Sequence, residues 1–299
     1  MLKRTITGFF ILVAVIGFLI LKQFSDLIFD ALILIIMYCS LYETIKVYKL
    51  SNKEIDYSLY LIPAILCVIF NLETNTFKAV GYVLALSVLF VMFLLTSEIV
   101  LYAVRRKKNE TETDPAILNQ KLFDRTKNTM QIYAYPTIVL SFMFALNHLG
   151  FEISYIGLIF AFATSMLTDT FAYLFGRTFG KRKFIPEVSP NKTIAGLIGG
   201  FVGGIVSAVL CLLAFSYFEP FASFVAEKKD LFILVFAILG IIGALADQLG
   251  DLVASAQKRK VGVKDYAQVF PGHGGFMDRV DGLMFTMFVT FISFALFLV

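Results

Sequence analysis

The sequence predicts an all-α, polytopic integral membrane protein with about nine transmembrane helices, and three observations carry that expectation. Of the 299 residues, 59% are hydrophobic and only 16% charged, with a mean hydropathy of +0.82. That balance is too apolar for a soluble domain of this length. The apolar runs are continuous and approach the roughly 20 residues that a helical crossing needs, whereas a β-barrel would alternate apolar with polar residues. Finally, Lys and Arg collect in alternate loops, as a fixed orientation in a membrane requires.

The spans follow in order. Thr5 to Leu21 comes after Lys3 and Arg4. Lys22-Gln23-Phe24 makes a poor cleavage site, so this segment is read as a retained helix rather than a leader. The others run near 25–41, 58–71, 79–103, 129–149, 153–175, 194–218, 231–255 and 282–299. An odd number puts the termini on opposite sides. With the N-terminus cytoplasmic, the inner segments hold Lys3 and Arg4, then Lys46, Lys49 and Lys53, then Arg105, Arg106, Lys107, Lys108, Lys121, Arg125 and Lys127. They continue with Arg177, Lys181, Arg182, Lys183 and Lys192, and end with Lys258, Arg259, Lys260, Lys264 and Arg279. Only Lys22, Lys78, Lys228 and Lys229, of 26 basic residues, remain for the outer side.

The stretch 104–128 is the most hydrophilic and reads as a solvated linker. It divides an N-terminal region, 1–128, from a C-terminal region, 129–299, expected to carry the chemistry. In the seventh span Gly196, Gly199, Gly200, Gly203 and Gly204 make one smooth face. Tight helix packing is the preferred reading, with a phosphate cradle at the helix start as the alternative. Cys39, Cys67 and Cys211 lie in apolar runs without zinc spacing and are expected to pack, not to pair. His148, at the outer end of the fifth span, reads as interfacial.

Three polar constellations converge on the inner face. Asp169 sits inside an apolar span, where a lone carboxylate costs about 2.5–3.5 kcal/mol on insertion scales and so needs a partner, a proton or a metal. Ser189, Lys192 and Thr193 precede the seventh span, where hydroxyls, an ammonium and free helix N–H groups suit a phosphate; an ordinary helix cap accounts for Ser or Thr equally well. Asp247 and Asp251 share a helix face near a C-terminus that disfavours them. Asp278 and Asp281 open the ninth span. Four acids meeting across one loop point to a cation site, and oxygen ligands beside a phosphate suggest Mg²⁺. His273, Gly274 and Gly275 lie in a glycine-rich turn that lets backbone approach a ligand closely.

The stretch from Ser255 to Asp281 resembles the C-terminal signature of the phosphatidate cytidylyltransferase (CDP-diacylglycerol synthase) family. Ser255, Lys258, Arg259, Lys264, Asp265, Ala267, Phe270, Pro271, His273, Gly274, Gly275, Phe276, Asp278, Arg279 and Asp281 match in place. Gln257 departs from a usual hydrophobic position. Asp169 to Gly180, Ser189-Pro190-x-Lys192-Thr193 and Gln248-x-Gly250-Asp251-Leu252 resemble further blocks, so the likeness covers about the C-terminal half. Ala195 and Ala254 stand where the family usually has Glu.

The resemblance implies a membrane nucleotidyltransferase of phospholipid synthesis. Its substrates would be CTP and phosphatidate, its products CDP-diacylglycerol and pyrophosphate, and it would depend on Mg²⁺. It implies a metal held by Asp251 and Asp278 with Asp281 or Asp247, and phosphates bound by Lys258, Arg259, Lys264 and Arg279. His273 joins the catalytic set. Asp169, Ser189, Lys192, Thr193, Ser255, Gly274 and Gly275 are the expected substrate-binding residues. The bilayer is the expected partner, with no nucleic acid, and a homodimer is compatible with the sequence. A related lipid or polyprenol phosphotransferase, a catalytically weakened homologue and a transporter are the alternatives. A transporter would place its ionisable residues at the midplane of broken helices, and here most lie in or beside loops.

Overall fold

A computed structural model describes residues 2–107, 115–270 and 274–298. Eleven α-helices follow in chain order among these residues: α1 (Leu2–Leu21), α2 (Asp26–Leu50), α3 (Ile62–Leu72), α4 (Thr76–Lys107), α5 (Pro115–Ile132), α6 (Val139–Asn147), α7 (Phe151–Phe179), α8 (Ile194–Tyr217), α9 (Phe221–Glu227), α10 (Lys229–Lys260) and α11 (Met277–Phe297). Seven helical segments are long and apolar enough to cross a membrane, with α5 and α6 counting as one. Two shorter apolar helices, Leu12–Leu21 and Tyr57–Leu72, coincide with the remaining expected spans. The protein is a polytopic helical membrane protein.

The chain runs back and forth between two ends. At one end Lys22 bonds Asp26 and the Asn147 carbonyl, the latter at 3.2 Å. The Thr76 hydroxyl donates to the His148 carbonyl at 2.5 Å, and Lys228 donates to the Leu298 carbonyl at 3.0 Å. Asp30 is the hub there. It is 1% exposed and meets Asn71 at 2.7 Å, Asn147 at 2.9 Å and His148 Nε2 at 3.0 Å. His148 is thus tied into a buried network rather than simply resting at an interface.

Of the stretch 104–128, expected to be a solvated linker, 104–107 end α4 and 115–128 belong to α5, while 108–114 lie outside the described residues. Pro115 suits the first turn of α5 because its missing N–H would have no partner there. Leu122, Thr126, Asn128 and Thr129 turn one face inward. Arg125 pairs with Asp56 and stands 3.7 Å from Glu98, so a basic side chain docks the helix instead of solvating a linker. Between α5 and α6 the helix kinks. Tyr135 takes extended angles (φ −144°, ψ 115°), as a residue before proline tends to, and Pro136 has no N–H to continue the ladder.

Glycines set the spacing of α7, α8 and α10. A Cβ on Gly203 would stand 2.4 Å from the Leu167 carbonyl oxygen, and one on Gly204 would stand 2.1 Å from that of Gly240. Tight packing, the preferred reading of this glycine run, is what the helices do. By contrast, a Cβ on Gly81 of α4 would meet nothing within 4 Å. The same substitution therefore has opposite signs at the two sites. Gly204→Ala is expected to destabilise the detergent-solubilised protein by about 1–3 kcal/mol through overpacking against backbone. Gly81→Ala is expected to be neutral or to stabilise by up to roughly 1 kcal/mol through helix propensity. Thermal unfolding of the two variants side by side measures this.

Candidate active site

The polar end opposite Asp30 is built where α10 crosses α11. A Cβ on Gly250 would lie 2.3 Å from the Asp281 carbonyl oxygen and 3.0 Å from the Gly282 Cα, and one on Gly282 would lie 2.4 Å from Asp247 Oδ1. With no side chain on either glycine, the two backbones touch. Asp247 and Asp251 of α10 and Asp281 of α11 then lie in one another's fields, joined by Asp169 from α7. Asp169 lies ten residues before the end of α7, about 15 Å at the helical rise. Its side chain is exposed.

Asp247 is 1% exposed, and its Oδ1 is a buried oxygen without a hydrogen-bond partner among the described residues. Ser165 of α7 stands beside this carboxylate. Asp281 Oδ1 accepts the adjacent Gly282 N–H, at 3.0 Å. Asp251 is more engaged. Its Oδ2 pairs with Lys192 Nζ at 2.8 Å, and Ser255 Oγ lies 3.5 Å from its Oδ1. Lys192 also donates to the Gln248 carbonyl at 3.2 Å, which fixes the segment before α8 against α10.

Asp278 is differently placed. Its Oδ1 accepts from Lys258 Nζ at 2.8 Å, and its Oδ2 accepts the N–H groups of Tyr266 and Gly275, each at 3.0 Å. Lys258 is 8% exposed and lies over the Tyr266 ring, 5.6 Å from its centroid. Burial, reinforced by Tyr48, Asp281 and Asp278, holds the Tyr266 phenol well above its ordinary pKa, so it stays a donor, to Gln257 Oε1 at 3.1 Å. Gly274 has φ +80°, and a Cβ there would stand 2.7 Å from Asp278 Oδ2. This turn needs glycine on both counts.

The remaining expected residues divide by partner. Thr193 is the N-cap of α8 and accepts from the Gly196 N–H at 3.0 Å, the ordinary capping role. Ser189 lies in the turn before it, its N–H bonded to the Ile185 carbonyl. Arg259 is exposed and reaches the carbonyls of Val188, at 3.4 Å, and Val263, at 3.1 Å. It thereby ties the Ser189 turn to the end of α10. Lys264 and Arg279 are exposed. His273 lies outside the described residues.

Two residues here carry no signal in the motifs. Glu43 of α2 is 3% exposed and accepts the N–H groups of Phe276 and Met277, each at 2.9 Å. The kink at Tyr135 brings a buried hydroxyl, without a hydrogen-bond partner among the described residues, into the field of Asp281, Asp251 and Asp278. Nothing local marked Glu43, which follows an apolar span and precedes Lys46 and Lys49, and nothing marked Tyr135 apart from the proline after it.

Among the described residues no three of His, Cys, Asp and Glu stand close enough to hold a metal ion by themselves. The donor set nonetheless suits Mg²⁺, which commonly takes one or two carboxylates and completes its shell with water and substrate phosphate. The bare Asp247 oxygen beside Asp281 is such a set.

A profile of the cytidylyltransferase family matches residues 2–297. Among similar proteins, one from Staphylococcus haemolyticus is 42% identical over 130 residues, covering 44% of this chain and 45% of the relative. One from Staphylococcus saprophyticus is 40% identical over 130 residues, with the same coverage. One from Staphylococcus aureus strain COL is 37% identical over 171 residues, covering 57% and 60%. All three are named phosphatidate cytidylyltransferase. The alignable part of this chain thus spans about half the length of these relatives.

The two ion pairs predict unequal costs. Lys258→Met strands a buried carboxylate and is expected to cost about 3–5 kcal/mol. Lys192→Met frees Asp251, whose side chain is 36% exposed, and is expected to cost no more than about 1 kcal/mol. Denaturation midpoints of the two variants in one detergent give the comparison.

Proposed function

The chain belongs to the cytidylyltransferase family, and on that footing we propose that it is a phosphatidate cytidylyltransferase, with CTP and phosphatidate as substrates and CDP-diacylglycerol and pyrophosphate as products. The observation that carries the proposal is the gathering of Asp169, Asp247, Asp251 and Asp281 beside Lys192 and Arg279 at one end of the helix bundle. In the proposed reaction a phosphatidate phosphate oxygen attacks the α-phosphorus of CTP as the bond to the pyrophosphate oxygen breaks. The acceptor is already an anion, so no protein nucleophile is required.

Both reactants are anionic, and the main tasks are alignment and charge neutralisation. Asp247 and Asp281, with Asp251, are the residues we assign to Mg²⁺. When bound, the ion would neutralise triphosphate charge. Lys192 pairs with Asp251 and is free to turn to phosphate once that carboxylate takes another partner. Arg279, Lys264 and Arg259 are exposed cations assigned to pyrophosphate and the lipid phosphate. Asp278 and Lys258 we assign to holding the turn that presents Gly274, Gly275 and Arg279. Ser189, Ser255 and His273 stay with the substrate-binding and catalytic group, and Thr193 with the start of α8.

The distribution of basic residues supports a cytoplasmic N-terminus and a cytoplasmic active site, where CTP is made available. The lipid would enter from the bilayer, and a homodimer is compatible with the largely exposed face of α4. The test is direct. Purified protein with phosphatidate, labelled CTP and Mg²⁺ is expected to yield liponucleotide and pyrophosphate in equal amounts, and chelation is expected to stop turnover. Asp247→Asn and Asp281→Asn are each expected to lower kcat by about 10²–10³-fold with the fold retained. Rates near wild type in both would remove the metal assignment. Absence of liponucleotide from active-site-intact protein would remove the reaction.

A further inference from the structure

Glu43 belongs to α2, far in sequence from every motif of the site, yet it ends on the first N–H groups of α11. A helix N-terminus has four N–H groups without partners inside the helix. No side chain at the α11 N-cap position itself takes one of them. Both carboxylate oxygens of Glu43 are used instead, Oε1 by Phe276 and Oε2 by Met277. The fit is close enough to dictate its neighbour, since a Cβ on Gly275 would stand 2.3 Å from Glu43 Oε2. On the other side of the same segment, Asp278 Oδ2 holds the Gly275 N–H. The turn 274–278 is therefore clamped between two buried carboxylates, one from each half of the chain. Arg279 and Asp281 follow within the next turn of helix.

We infer that Glu43 is a positioning residue for the reaction: its carboxylate, delivered from α2, sets the start of α11 and with it the placement of Asp281 and Arg279 against the nucleotide. The inference rests on the reaction proposed above. A carboxylate at a helix N-terminus is favoured by the helix dipole, so the start of α11 suits a buried acid delivered from α2. Without it, the first N–H groups of α11 would be buried without partners, and the first turn would loosen where the acids must meet substrate. A displacement of about 1 Å at a reacting group can cost roughly 10²-fold in rate.

The full-length protein in nanodiscs provides the test, with Glu43→Ala, Glu43→Gln, Gly275→Ala and the double variant Glu43→Ala/Gly275→Ala. Glu43→Ala is expected to lower kcat by about 10²-fold, with a much smaller change in the KM for phosphatidate. Glu43→Gln, which keeps one acceptor oxygen, is expected to fall between it and wild type and carries the comparison if the alanine variant does not fold. Gly275→Ala alone displaces Glu43 and is expected to match Glu43→Ala, and the double variant is expected to be no worse than either. Hydrogen exchange at the Phe276 and Met277 amides is expected to rise in Glu43→Ala while the rest of α11 stays protected. Near-wild-type turnover in Glu43→Ala, additive losses in the double variant, or unchanged exchange at the two amides would each overturn the inference. If wild-type protein makes no liponucleotide, the reaction falls on its own, and the exchange measurement still decides whether Glu43 holds the turn.

Discussion

Everything at the polar end depends on two helix backbones touching. Carboxylates repel one another, and each is costly to bring below a membrane surface. They can be gathered only if the scaffold holds them there by contacts made elsewhere. Gly250 and Gly282 provide that contact, because their missing side chains let α10 and α11 meet backbone to backbone. The run from Gly196 to Gly204 does the same for α8 against α7 and α10. Between lipid-bathed helices there is no hydrophobic drive to associate, so such close packing supplies the adhesion. The acids are carried along at fixed positions on those helices.

Charge is handled in two ways at this end. Lys258 and Asp278 form a closed pair, buried and supplemented by two backbone N–H groups. A buried pair of this kind offsets its own desolvation only when such additional bonds are present. Its effect is to fix the shape of a turn. Lys192 and Asp251 form an open pair at partial exposure, where each partner can be exchanged for substrate at little cost. Asp247 and Asp281 have fewer bonds still. The site thus grades from rigid to exchangeable within a few residues, as a site must when it keeps its form while anionic ligands come and go. Glu43 extends the rigid part to α2, so the N-terminal half contributes to the geometry without bearing any of the signature.

Much of this was legible in the chain. The nine apolar segments follow from hydropathy alone, since the bilayer imposes a length and forbids unpaired backbone. Thr193 as a helix cap and the packing role of Gly196–Gly204 follow from local rules of hydrogen bonding and side-chain size. The stretch 115–128 reads as loop because its charges suggest solvent, whereas Arg125 pairs with Asp56 and approaches Glu98, which lie far away in sequence. Glu43 and Tyr135 were illegible for the same reason: each is defined by a partner or a field brought to it by another helix.

Sequence by itself determined the membrane class, the positions of the apolar segments and the residue types available for phosphate chemistry. These depend on composition and short-range spacing, which the chain carries locally. Tertiary structure decided which acid meets a lysine and which keeps an oxygen free, and it decided that α2 closes the end of α11. Spacing puts Asp278 and Asp281 on neighbouring turns of one helix but says nothing of what faces them. That depends on how closely other helices approach, and the approach is a property of the packed bundle.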